Sequence, residues 1–186
     1  VAEYRFTTTW TFAAPVDRVW PEVGDPLNWK TYWAGLEDVR PAAPGARPAP
    51  GAVYDLTFKS FLPYTLTLTA RLDEYDPPHR MIFSTTGELR GVAEFVLDDV
   101  DGRTRTQLVW TTRTTKSWMN ALAFLLRPLF EWNHDFLMRR AGTGLAARIG
   151  AQVTHAEGSA PSLARALVPL GVVVLTIVVF LGRSRR

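Results

Sequence analysis

The chain of 186 residues reads as an α+β domain: an antiparallel sheet of about seven strands, two short helices after the first strand, and a long helix toward the C-terminal side. Three observations predict this class. Apolar residues recur at every second position through much of residues 3–114, the period of a half-buried strand. That pattern is interrupted near residues 15–33, where apolar side chains fall three and four apart. Beyond Lys116 the spacing turns helical.

The first strand sets Tyr4, Phe6, Thr8, Trp10 and Phe12 on one face and Arg5, Thr7, Thr9 and Thr11 on the other. Pro15 then suits the first turn of a helix, Asp17 suits its positive end, and Val16, Val19, Trp20 and Val23 make an apolar stripe. Asp25 and Pro26 mark a second start, leading into the short helical segment LNWKTYW. Six strands follow as a meander: residues 35–40; a strand in which Tyr54, Leu56 and Phe58 alternate with Asp55, Thr57 and Lys59; one in which Leu66, Leu68, Ala70 and Leu72 alternate with threonines; then MIFSTTG, LRGVAEFVLDD and TRTQLVWTTRT. Pro77 and Pro78 separate the third from the fourth, and Asp101 with Gly102 turns the fifth into the sixth. The expected sheet has one apolar face and one threonine-rich, solvated face.

Helical spacing then covers two segments. WMNALAFLL, residues 118–126, is apolar nearly all round, which fits either a buried core helix or a portal touching a bilayer. Pro128 is expected to restart the helix, with Leu129, Trp132, Phe136, Leu145 and Ile149 as its inner stripe. Gly142 and Gly144 weaken its middle by up to about 1 kcal/mol each relative to Ala, a cost that close packing usually explains.

Residues 155–162 (HAEGSAPS) are polar and rich in breakers, and Ala166–Gly182 is apolar with no ionisable side chain. About 17 helical residues span roughly 25 Å, the short end of what a bilayer core requires, and Arg165 and Arg183 can snorkel to supply the rest. This predicts a domain over 1–153, a linker over 154–164, a transmembrane helix over 165–183 and a basic tail over 184–186. Val1–Thr9 lacks the basic start and apolar stretch of a signal peptide, so the domain is expected in the cytoplasm, held to the cell membrane by a single pass.

The tail also corrects the charge balance. A formal net charge of +3 resembles that of a nucleic-acid binder, but Arg165, Arg183, Arg185 and Arg186 account for all of it. Residues 1–161 are close to neutral and offer no electrostatic footprint for a phosphate backbone, so nucleic acid is not an expected partner. Cysteine is absent, which excludes disulfides, thiolate metal sites and a Cys nucleophile.

No catalytic signature stands out. The three histidines, at 79, 134 and 155, have no metal-binding spacing, and neither metal nor cofactor is expected. GTG at 142–144 is too short for a phosphate loop, and no nucleophile elbow occurs. His134 and Asp135 are the candidate catalytic pair, since a His beside a carboxylate can move a proton. Adjacent helical residues point about 100° apart, however, so both cannot easily face one cavity, and the favoured reading has one of them packing or capping and the other solvated. Asp55 and Glu94 interrupt strand patterns and read as surface charges.

The order of elements, together with APVDRVWPEVGDPLNW at 14–29 and FEWNHDFLMRRAGTGLAAR at 130–148, resembles the START-like or helix-grip superfamily (SRPBCC), in particular its polyketide cyclase/dehydrase-like branch. The resemblance covers residues 3 to 151 and leaves out the apolar tail. It implies a strongly curved sheet wrapped round the long C-terminal helix, with an apolar cavity between them for a lipid, sterol, polyketide or other hydrophobic small molecule. In such folds the second helix and the long helix frame the cavity mouth, which makes Trp29, Tyr32, Trp33, Trp110, Trp132 and Phe136 the expected ligand-binding residues. Three functions then compete: a membrane-anchored binding module for a hydrophobic small molecule or lipid, a polyketide cyclase/aromatase-like enzyme, and a non-catalytic interaction domain at the membrane. A purely apolar cavity favours the first, converging polar groups the second, and a filled core the third.

Overall fold

The computed structural model describes residues 3–45, 47–59, 65–115 and 123–156. Strand β1 (Glu3–Phe12) leads into helices α1 (Val16–Val23) and α2 (Pro26–Trp29), followed by β2 (Leu36–Pro41), β3 (Val53–Lys59), β4 (Thr65–Asp76), β5 (Arg80–Gly87), β6 (Leu89–Val100) and β7 (Arg103–Thr114). Helix α3 (Ala123–Arg148) and a short strand β8 (Val153–Ala156) complete the described elements. Among the described residues the strands form one eight-stranded antiparallel sheet in the order β2-β3-β4-β5-β6-β7-β1-β8. The meander from β2 to β7 is therefore sequential, and β1 returns to pair with β7 from Glu3↔Arg113 to Phe12↔Thr104.

Local chemistry starts the helices where expected. Pro15 sits at the N-cap position just before α1, without a side-chain capping bond, and the buried face of α1 carries Val19, Trp20 and Val23. The Asp25 carboxylate accepts the Leu27 amide at 3.0 Å and Pro26 fills the first position, so α2 begins with one orphan donor satisfied and one absent. Register shifts between Leu36 and Asp38 on β2 and between Leu72 and Glu74 on β4 add local twist to the sheet.

Helix α3 is held against β1, α1 and the chain after α2 by named contacts. The Trp10 indole N–H donates to the Met138 carbonyl at 3.1 Å, and Arg148 Nε donates to Glu22 Oε2 at 2.6 Å. Gly144 permits the closest approach: a Cβ built there would sit 2.3 Å from the Tyr32 carbonyl oxygen. Only a residue without a side chain lets the chain after α2 pass so near the helix.

Several expectations are corrected. Threonines are not confined to the solvated face, because Thr104, Thr106, Thr112 and Thr114 are buried beside Leu108 on β7. The strand period dictates this: even-numbered residues share the face of Leu108 and Trp110, while the odd positions hold Arg103, Arg105, Gln107, Val109, Thr111 and Arg113. Thr104 satisfies its hydroxyl by donating to the Ala14 carbonyl at 2.7 Å. Pro128 does not start the long helix, which runs from Ala123 through it; a proline there forfeits one hydrogen bond near the helix start without ending the helix.

The inner stripe of α3 keeps the expected Leu145, with Ile149 packed against the core, but not Phe136. His134, Met138, Ala141, Leu145 and Ala146 are buried, whereas Phe136 is 39 % exposed. Residues Val153–Ala156, placed in the expected linker from 154 onward, pair instead with Thr9–Phe12 as β8. The seven expected strands become eight because the free edge of β1 recruits a segment too short to show a period of its own.

The expected transmembrane helix over 165–183, its basic tail and most of the linker lie outside the described residues, as do residues 118–122 of the expected apolar helix. Among the described residues, no helix is long and apolar enough to cross a membrane. Asp55 is exposed and accepts the Thr69 hydroxyl at 2.7 Å, while Glu94 accepts Arg80 Nε at 2.8 Å.

Candidate ligand-binding cavity

A cavity of about 160 Å³ lies between the sheet and α3. Its walls follow from the strand alternation: inward residues of β3 to β7 supply Leu56, Leu68, Phe83, Phe95 and Trp110, β1 supplies Tyr4 and Phe6, and α3 contributes Phe130, Asn133, His134, Leu137 and Met138. Trp29 and Trp33 reach it from α2 and the turn that follows.

Two groups of rings line it. Trp29 contacts Trp33, Phe83 and Phe95 with centroids 5.3 to 5.6 Å apart. In the other group Phe6 lies 6.1 Å from Trp110 and stacks on His134 at 4.0 Å with the planes 15° apart. Tyr4 stacks on Phe6 at 5.9 Å and meets Phe130 edge-on at 6.3 Å. Rings that brace one another in this way hold an apolar concavity open, because collapse would require several of them to move together.

Of the residues expected to bind ligand, the structure places Trp29, Trp33 and Trp110 on the wall and the other three elsewhere. Tyr32 directs its hydroxyl to the Glu22 carbonyl at 3.3 Å. Burial raises its pKa well above 10.0, and the nearby Glu22 carboxylate raises it further. Trp132 and Phe136 stack on each other at 5.5 Å, and the Arg140 guanidinium lies over the Phe136 ring at 5.7 Å. The phase of α3 explains the correction: residues 130, 134, 137 and 138 border the cavity, whereas 132 and 136 do not.

Within the candidate catalytic pair, His134 borders the cavity and Asp135 does not. The imidazole Nδ1 lies 3.4 Å from Asp135 Oδ1, a long contact, and Nε2 is buried without a hydrogen-bond partner among the described residues. Among the described residues, the remaining wall holds no Asp, Glu, Lys or Arg. Arg127, whose guanidinium lies 5.6 Å from the Tyr4 ring centre, already donates to Glu131 Oε1 at 2.9 Å. Burial raises the Tyr4 hydroxyl pKa, and Arg127 opposes that rise. Among the described residues no group of three or more His, Cys, Asp or Glu side chains is placed to hold a metal ion.

Tyr4, Phe6, Thr85, Thr112 and Asn133 are wall residues absent from the expected ligand-binding set. The signal for Tyr4 and Phe6 was present, since both share the inward face of β1 with Trp10. The threonines gave none, because their type suits either face of a sheet.

A sheet packed on one long helix, with an aromatic-lined cavity between them, defines a helix-grip domain. The chain belongs to the polyketide cyclase/dehydrase and lipid transport family, whose model matches residues 3–151. Solved structures share the fold. The ZhuI aromatase/cyclase of Streptomyces sp. R1128 superposes with a TM-score of 0.65 at 19% identity, over 80% of this chain and 94% of that one. A Thermus thermophilus protein gives 0.63 at 19% identity, over 79% and 99%, and a Mycobacterium smegmatis protein gives 0.57 at 19%, over 77% and 89%. No curated protein matches the chain in sequence.

Proposed function

We propose that the chain binds a small hydrophobic molecule in the cavity between the sheet and α3, and that the apolar run at 166–182 tethers this domain to a membrane. The observation that carries the binding reading is the ring-lined volume of about 160 Å³ between the sheet and α3. An apolar cavity of about 150 Å³ is known to accept benzene, so this one suits one ring or a compact pair. Tethering keeps the cavity close to a bilayer in which such ligands concentrate.

Calorimetric titration of the full chain with neutral one- and two-ring compounds tests the binding. Saturable binding in the native chain, lost in Ala93→Leu, supports the reading; no binding to any of them contradicts it. Extraction of cell membranes with alkaline carbonate tests the tether. Release of the chain into the supernatant contradicts a transmembrane anchor.

A second reading, an aromatase/cyclase-like enzyme, is favoured by His134, which brings an unpartnered Nε2 to the cavity beside Asp135. One fold-level relative is an aromatase/cyclase, and aldol or dehydration steps need a group that takes and returns a proton. On this reading the chain converts a linear poly-β-ketone, and His134→Gln abolishes turnover while ligand still binds. Turnover unchanged in that variant removes His134 from the chemistry.

A further inference from the structure

The buried indoles divide into two kinds. Trp10 donates to the Met138 carbonyl at 3.1 Å and Trp29 to the Val23 carbonyl at 2.8 Å, so each satisfies its N–H within the fold. Trp33 and Trp110 do not: both Nε1 atoms are buried with no partner among the described residues, and both side chains border the cavity. Tyr4, Thr85, Asn133 and His134 add four more buried polar atoms in the same condition on the same wall.

An indole N–H is a donor only, so nothing but an acceptor can satisfy it. A buried donor without a partner is costly, and a protein that pairs its other interior indoles leaves these two where a guest can reach them after small side-chain adjustments. Charge narrows the guest further. A carboxylate or phosphate entering this wall would lose its water and meet no Lys or Arg among the described lining residues, and Arg127, beside Tyr4, is already engaged by Glu131.

Resting on the cavity-binding reading above, we infer that the ligand is an uncharged, ring-bearing compound with at least one carbonyl-type oxygen, received by the indole N–H groups of Trp33 and Trp110, and that free fatty acids and other anions are rejected. A hydrocarbon of the same shape fills the volume but leaves both donors unpaired. The site thus discriminates by polarity at constant size.

Three probes of similar size test this by calorimetric titration of the full chain: acetophenone, α-methylstyrene and benzoate. The ketone is expected to bind about fivefold or more tightly than the hydrocarbon, and benzoate more weakly than either at neutral pH. In Trp33→Phe and Trp110→Phe, which keep an aromatic ring, the ketone's advantage shrinks while α-methylstyrene still binds. Retained hydrocarbon binding shows that the variants are folded. Equal affinity for ketone and hydrocarbon in the native chain overturns the inference and leaves hydrophobic binding standing, as does a benzoate that matches the ketone. Failure of all three probes to bind overturns the cavity-binding reading together with this inference.

Discussion

The imidazole of His134 lies flat against the ring of Phe6, with centroids 4.0 Å apart and planes 15° from parallel, so a residue of α3 and a residue of β1 form one wall of the cavity together. His134→Phe keeps a ring on Phe6 and removes an unpartnered nitrogen. Its expected stability cost is under about 1.5 kcal/mol, whereas His134→Ala opens a hole and costs about 2–4 kcal/mol. Denaturant unfolding of both variants measures the difference; equal costs would show that the stack contributes little.

Gly144→Ala tests how tightly α3 is seated. Alanine favours a helix by about 1 kcal/mol over glycine, yet its Cβ would meet the Tyr32 carbonyl oxygen, a backbone atom that cannot rotate away. The clash is expected to win, with a net loss of about 1–3 kcal/mol in thermal or denaturant unfolding. A gain in stability would place the chain after α2 farther from the helix than described.

Tyr54 predicts an alkaline limit. Burial, aided by the charges of Asp25 and Tyr75, pushes its hydroxyl up to about 12 from 10.0. In the unfolded chain the hydroxyl ionises near pH 10, while in the folded chain it keeps its proton until near 12. The unfolded state therefore binds fewer protons across that window, and the neutral tyrosine's contribution, complete below pH 10, is lost as pH rises through 12. The expected fall is of the order of 2–3 kcal/mol, and Tyr54→Phe should flatten this part of the stability curve. Because the hydroxyl has no partner among the described residues, the same substitution costs little at pH 7.

Filling the cavity separates fold from function. Ala70 and Ala93 both border it, and Ala93 pairs with Phe83 on β5 and Trp110 on β7. A leucine at either position occupies space meant for the ligand. Affinity for neutral ring compounds should drop about tenfold or more, while stability changes by no more than about 1–3 kcal/mol. Unchanged affinity would move the ligand site away from this cavity.

Much of the architecture is legible in the chain because strand alternation is strict where it matters. Tyr4, Phe6, Trp10 and Phe12 declare the inner face of β1 without ambiguity, and Asp25 with Pro26 declares the start of α2. The errors occur where residue type is silent about its surroundings. Threonine suits both faces of a sheet, so the buried run on β7 is decided by its phase with Leu108 and Trp110.

On α3 the large rings of Trp132 and Phe136 suggest an inner stripe. The buried face of α3 instead carries His134, Met138 and Ala141, set by the helical phase and not by ring size. Three of the expected ligand-binding residues missed the wall for related reasons, two through the phase of α3 and Tyr32 through its bond to Glu22. The unpaired indoles of Trp33 and Trp110 could not be read from sequence at all, since hydrogen-bond satisfaction is a property of the assembled fold.

Native mass spectrometry of the full chain recovered from its own cells tests the central claim most directly. A reproducible additional mass, belonging to an uncharged hydrophobic compound and absent from Ala93→Leu prepared in parallel, is the predicted result. A native chain that is always empty, or one whose bound mass persists unchanged when the cavity is filled, would contradict it.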